Sequence, residues 1–141
     1  MLFIIVHQTY ELWFKCVLHE LSRAQQLLEL GDTHASLPVL GRVRTIFKVL
    51  VSQVDILETM TPLQFNSFRD RLEAASGFQS VQFRELEAVL GRRDPSMIDH
   101  LEPNSEPQLR VQNAMNRPAL FDSVLVYLVK RNHKMPIEIM Q

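Results

Sequence analysis

MLFIIVHQTYELWFKCVLHELSR, residues 1–23, reads as helix from its opening turn. Phe3, His7, Tyr10, Phe14 and Leu18 recur at spacings of 4, 3, 4 and 4, which puts them on one stripe of a 3.6-residue period. Leu2, Ile5, Leu12 and Cys16 widen the apolar surface beyond what one neighbouring helix covers. The helix is therefore expected at the centre of a larger helical assembly, with His7 facing inward. It is predicted to run from about residue 4 to residue 30 and to stop at Gly31 and Asp32. Glu11, Lys15, Arg23 and Gln26 are expected on its opposite face, with Glu11 and Lys15 as an i,i+4 pair.

Outward from this helix, Asp32 or Thr33 can cap a second long helix that Pro38 enters early. Leu40, Val43, Phe47, Leu50, Val54, Leu57 and Met60 give it an apolar face. Thr61-Pro62 breaks that helix and starts a third, through Leu63, Phe65, Phe68 and Leu72. AASGFQS, residues 74–80, reads as a compact loop, and a fourth helix follows to about residue 90, closing at Gly91. RRDPSMIDHLEPNSEP is polar and proline-rich, with a helical turn or two expected at MIDHL. Short helices are predicted over 107–115 and from Pro118, the latter with Leu120, Val124, Tyr127 and Leu128 on one side. The tail HKMPIEIMQ reads as extended or turn-like. Four glycines and seven prolines punctuate the chain too sparsely for a sheet. The expected fold is all-α and bundle-like, one domain over 1–141, with two long antiparallel helices and shorter ones laid against them.

A hydrophobic content of 46% can supply a core, and a formal net charge of -1 argues against a nucleic-acid or anionic-membrane partner held by bulk electrostatics. The single cysteine, Cys16, excludes an internal disulfide and suits a reducing compartment. MLFIIV is too short for a signal-peptide core, and no apolar run approaches the roughly 18 residues of a membrane span. A cytoplasmic location is expected.

His7 admits two readings: a packed, hydrogen-bonded core histidine, or a pocket residue flanked by Phe3 and Tyr10 that meets a flat aromatic ligand. Arg69 also admits two. It follows Phe65 by four residues and Phe68 by one, and its planar fork can close an internal salt bridge to Asp55, Glu58 or Glu87, or clamp a ligand carboxylate. In the second case Ser76-Gly77 would add a hydroxyl and a closely approaching backbone. His7, His19, His34, His100 and His133 are scattered, and Cys16, His19 and Glu20 match no usual metal spacing. No phosphate-binding glycine loop, nucleophile elbow or acid/base carboxylate pair can be picked out.

FIIVHQTYELWFK (3–15), LETMTPLQFNSFRD (57–70) and SGFQSVQFRELE (76–87) resemble, in order, three hallmark segments of the tryptophan 2,3-dioxygenase family. The likeness continues through LEAVLGRRDP to the Leu128 region and HKMP. It implies an all-helical haem protein, usually homotetrameric, that inserts both atoms of O2 across the indole C2–C3 bond of L-tryptophan to give N-formylkynurenine. It implies that His7 is the distal histidine accepting the indole N–H, that Phe3 lines the indole pocket, and that Arg69 pairs with the substrate carboxylate beside Phe65. Ser76 and Gly77 match the distal-side loop, so that Phe3, His7, Ser76 and Gly77 would lie against the haem.

The same resemblance implies parts not found in this sequence: an N-terminal segment that reaches a neighbouring subunit, and a C-terminal part bearing the proximal histidine that ligates iron. His133, in HKMP, corresponds to a residue outside the pocket. The haem iron ligand is therefore expected outside this chain. The expected partners are L-tryptophan and O2, with a homo-oligomer or a complementary polypeptide; a non-catalytic binding or assembly module of the same fold is the alternative.

Overall fold

A computed structural model describes residues 1–69 and 80–134, and among them every regular element is helical. In chain order these are α1 (Leu2–Leu30), α2 (Thr33–Glu58), α3 (Pro62–Arg69), α4 (Val81–Val89), α5 (Glu106–Asn116) and α6 (Leu120–Lys130). A 3₁₀ turn, Pro95–Ile98, stands between α4 and α5 and is the form taken by the helical turn expected near MIDHL. The all-α fold with two long helices is what the sequence pattern implies. The loop 74–79, the continuation of α3 to Leu72 and the tail 135–141 lie outside the described residues.

The hairpin between the long helices is set by three residues. Gly31 takes φ 81°, a left-handed conformation that costs glycine little. From there its N–H reaches the Leu28 carbonyl at 2.9 Å and the Asp32 N–H reaches that of Leu27 at 2.9 Å, the crossed pair of a Schellman stop. Asp32 then turns its carboxylate onto the Ala35 N–H at 2.9 Å and caps α2. The chain reverses, and α2 runs antiparallel along α1.

The seam between them follows a strict alternation. On α1 it passes through Phe3, His7, Tyr10, Phe14, Val17, Leu21, Ala24 and Leu28, at spacings of 4 and 3 in turn, with the last four buried. On α2 it passes through Ser36, Val39, Val43, Ile46 and Leu50, all buried. Two such rows mesh in the manner of coiled-coil helices. The expected stripe is corrected at two points. Val17 takes the fully buried position and Leu18 sits partly buried at the core edge. On α2, Val39 and Ile46 replace Leu40 and Phe47, while Val54 is 44% exposed. A 3.5-residue row keeps facing its partner, whereas the 3.6-residue stripe drifts around the helix.

The shorter helices pack on one flank of this pair. Phe83 of α4 meets Phe14 with ring centroids 5.5 Å apart, and Leu86 joins the main core of Val17, Leu21, Val43, Ile46 and Leu50. Gln82 reaches across to Glu11, bonding its carbonyl at 3.0 Å and its carboxylate at 2.7 Å. Glu11 therefore faces α4 rather than solvent, and its carboxylate is engaged by Gln82 rather than by Lys15. At the other end of α1, Gln25 bonds Ser123 of α6 at 3.3 Å, and the Ser123 hydroxyl donates to Glu29 at 2.8 Å, which satisfies a buried serine. A smaller core of Ala88, Met97, Val111 and Ala114 ties α5 and the 3₁₀ turn to α4. Helix α6 begins at Leu120, two residues beyond Pro118, where Asp122 accepts the Ala119 N–H at 2.6 Å.

Candidate functional site

Phe3, His7 and Phe65 come together where α1 begins, beside the end at which α2 gives way to α3. The Phe3 and His7 rings are 4.0 Å apart and tilted by 39°. Phe65 meets Phe3 edge-on, with centroids 5.6 Å apart and planes at 61°. Three of the residues singled out in the sequence thus form one aromatic cluster. Residues 3 and 7 are neighbours on a helix by spacing alone, but the arrival of Phe65 depends on the fold.

The imidazole is oriented by its own helix. Its Nδ1 lies 2.8 Å from the Phe3 carbonyl oxygen, one turn back. A carbonyl can only accept, so Nδ1 carries the proton, and a neutral ring then offers Nε2 as an acceptor. The backbone thereby fixes the tautomer. No side chain was needed for this, which is why residue patterns do not reveal it.

Phe65 is delivered by a short, well-started helix. Thr61 and Gln64 form a reciprocal capping box: the Gln64 N–H donates to the Thr61 hydroxyl at 3.3 Å, and the Thr61 N–H donates to the Gln64 side chain at 3.0 Å. Pro62 occupies the first helical position, where its missing N–H costs nothing. Arg69 ends α3, four residues or about one turn beyond Phe65. Its side chain, together with Ser76 and Gly77, lies outside the described residues. Of its candidate partners, Glu87 is held by Arg84 and by Arg92, each at 2.6 Å.

Behind the cluster, Tyr10 fixes the spacing of the two long helices. Its hydroxyl donates to the Leu50 carbonyl at 2.6 Å, and burial pushes its pKa above the usual tyrosine value. This anchor was not anticipated; the aromatic stripe contains it but does not assign its hydroxyl a partner. The same end of the bundle leaves apolar side chains uncovered, among them Val51 at 71% and Leu63 at 82% exposure.

The chemistry available here is that of a receptor. Aromatic rings can pack a flat apolar group, and the free imidazole nitrogen can accept one N–H. Among the described residues no three His, Cys, Asp or Glu side chains converge on a metal-binding point. No helix is long and apolar enough to cross a membrane.

The chain is similar to known proteins along most of its length. The family profile described as tryptophan 2,3-dioxygenase matches residues 1–131. A tryptophan 2,3-dioxygenase of Anaeromyxobacter sp. (strain K) is 55% identical over 136 residues, covering 96% of this chain and 51% of the relative. That of Herpetosiphon aurantiacus is 49% identical over 140 residues, covering 98% and 53%. That of Arthrobacter sp. (strain FB24) is 39% identical over 141 residues, covering 100% and 50%. The chain spans about half the length of the curated relatives it matches.

Proposed function

The chain belongs to the tryptophan 2,3-dioxygenase family, and on that premise we propose that it forms the substrate-recognition half of a haem-dependent dioxygenase site. The reaction is insertion of both atoms of O2 across the indole C2–C3 bond of L-tryptophan, giving N-formylkynurenine. The observation that carries the reading is the Phe3–His7–Phe65 cluster, with His7 tethered through Nδ1 to the Phe3 carbonyl.

Each residue has a part in it. Phe3 and Phe65 pack the indole. His7 accepts the indole N–H at Nε2, which fixes the ring's rotation in its plane. Arg69, one turn past Phe65, binds the substrate carboxylate through its planar fork. By the family resemblance, Ser76 and Gly77 would help to close the site. Haem, when bound, supplies the iron at which O2 is activated, and Phe3, His7, Ser76 and Gly77 would lie against it. Its iron ligand comes from outside this chain. The proposed setting is the cytoplasm, as part of a homotetramer or of a complex with a complementary polypeptide.

Equilibrium binding of L-tryptophan and of indole to the protein and to its Arg69→Ala variant tests the assignment. The variant is expected to weaken L-tryptophan by about tenfold or more and indole hardly at all. Equal loss for both ligands would make Arg69 an internal salt-bridge residue and remove the carboxylate clamp.

A second reading is favoured by one observation, the match to only about half of each relative. In it the chain is a non-catalytic binding or assembly module of the same fold. Haem titration in the presence of a polypeptide that supplies the iron ligand separates the two: a histidine-ligated Soret band supports the dioxygenase half-site, and its absence supports the non-catalytic module.

A further inference from the structure

Burial does not hold the first half of α1. Of its residues from 2 to 16 only Val6 is buried, whereas Val17, Leu21, Ala24 and Leu28 anchor the second half. The turn that carries His7 is held instead by directional contacts at residues 10 and 11. Tyr10 bonds the Leu50 carbonyl of α2 at 2.6 Å. Glu11 is bonded by Gln82 of α4, whose amide nitrogen donates to its carbonyl at 3.0 Å and to its carboxylate at 2.7 Å. A side-chain amide nitrogen carries two hydrogens, so it can make both bonds. The bond to the carbonyl grips backbone, and so holds the helix itself rather than a side chain alone.

Successive residues of an α-helix are about 100° apart, so His7 projects about 60° from Tyr10 and about 40° from Glu11, between the two. The tethers to α2 and α4 therefore straddle the imidazole. Either one alone leaves α1 able to roll about the remaining bond. A roll of about 10° moves a group about 6 Å from the helix axis by roughly 1 Å, enough to leave the narrow distance range of a hydrogen bond. Gln82 is itself firmly placed. Leu86, one turn further along the same face of α4, is 2% exposed in the main core. Ser80 caps the helix by accepting the Phe83 N–H at 3.0 Å, and the Phe83 ring packs on Phe14.

We propose that Gln82 is a positioning residue for the ligand site, aiming the His7 imidazole by holding the Glu11 backbone to α4. Tyr10 supplies the opposing tether. The His7 tautomer does not depend on Gln82, because Nδ1 is bonded to the Phe3 carbonyl within α1 at 2.8 Å. Loss of the Gln82 amide therefore shifts the ring without changing which nitrogen accepts. The Phe3 ring, on the same stripe of α1, moves with it relative to Phe65, whose centroid lies 5.6 Å away. The inference rests on the proposed function only in taking His7 as the acceptor of an indole N–H.

Gln82→Leu removes both bonds at similar side-chain size, and two measurements on the whole chain read the effect. Without ligand, NMR follows the cross-relaxation between the Phe3 and Phe65 rings and the ring-nitrogen shifts of His7. The cross-relaxation should change by about twofold or more, as a displacement of roughly 1 Å requires, while the shifts still place the proton on Nδ1. With ligand, titration of L-tryptophan and N1-methyl-L-tryptophan gives an affinity ratio, expected to fall from about tenfold in wild type towards one in the variant. Gln82→Glu, which sets an acceptor against two acceptors, is the second variant should Gln82→Leu not fold, and it should move both readings in the same direction. An unchanged Phe3–Phe65 signal in the folded variant overturns the proposal. So does equal weakening of both ligands, which a general loss of packing would give, and so does a proton moved to Nε2. Wild-type protein that binds the two ligands equally would fault the dioxygenase reading instead, and the ligand-free signals would then decide the role of Gln82 by themselves.

Discussion

The Tyr10 hydroxyl and the Leu50 carbonyl, 40 residues apart in sequence, are joined by a 2.6 Å hydrogen bond that fixes α1 against α2 one turn below the His7 imidazole. The bond spans the two helices whose ends build the site, so it links stability with recognition.

Tyr10→Phe removes the donor and keeps the ring. It is expected to lower unfolding free energy by about 1 kcal/mol, measured by urea denaturation at pH 7. A pH series adds a second signature. Burial raises the folded-state pKa of Tyr10 above the usual value near 10. A raised pKa means that folding favours the protonated hydroxyl. Its contribution is therefore whole below about pH 10 and is lost as pH climbs from there through the higher folded value. Wild-type protein should lose more stability than Tyr10→Phe between pH 9 and about pH 11.

His7 is expected to act through Nε2 on one ligand proton. His7→Ala should weaken L-tryptophan by roughly tenfold, equivalent to about 1.4 kcal/mol, and should weaken N1-methyl-tryptophan much less, because that ligand has no indole N–H to donate. Calorimetric titration of both ligands into both proteins completes the cycle. Equal losses would return His7 to the role of a packing residue.

Thr61 reaches the pocket only through helix α3. Thr61→Ala breaks one arm of the capping box and should cost about 1 kcal/mol locally. Amide exchange at residues 65–69 should quicken, and L-tryptophan affinity should fall with it, while the amides of α1 and α2 keep their protection.

The long helices were legible because their signals are local: Gly31 and Asp32 at the hairpin, Thr61-Pro62 at the break, and apolar recurrence between them. What could not be read was which of two neighbouring apolar rows faces the partner. Leu18 and Val17 are both good core residues, as are Phe47 and Ile46, and only the supercoiled pairing of α1 with α2 chooses between them. Buried polar groups escaped for a related reason. Ser123 looks like a surface serine until Gln25 and Glu29 meet it across 98 and 94 residues of chain. At the site, Phe3 and His7 were readable as helix neighbours. Phe65 could be joined to them only through family resemblance, because no periodicity connects α1 with α3. Glu11 looked like a solvent-facing acid because its partner, Gln82, lies 71 residues away.

The α1 row that includes His7 continues without a break to Leu28, so core and pocket share one angular phase. A residue inserted between Phe14 and Val17 would turn everything before it by about 100° relative to the anchored end. His7 would then swing away from Phe65, while the half of α1 that holds α6 kept its place. Substitutions along the helix can be absorbed one by one; its length between His7 and Val17 cannot change, because that count sets the direction in which the imidazole points.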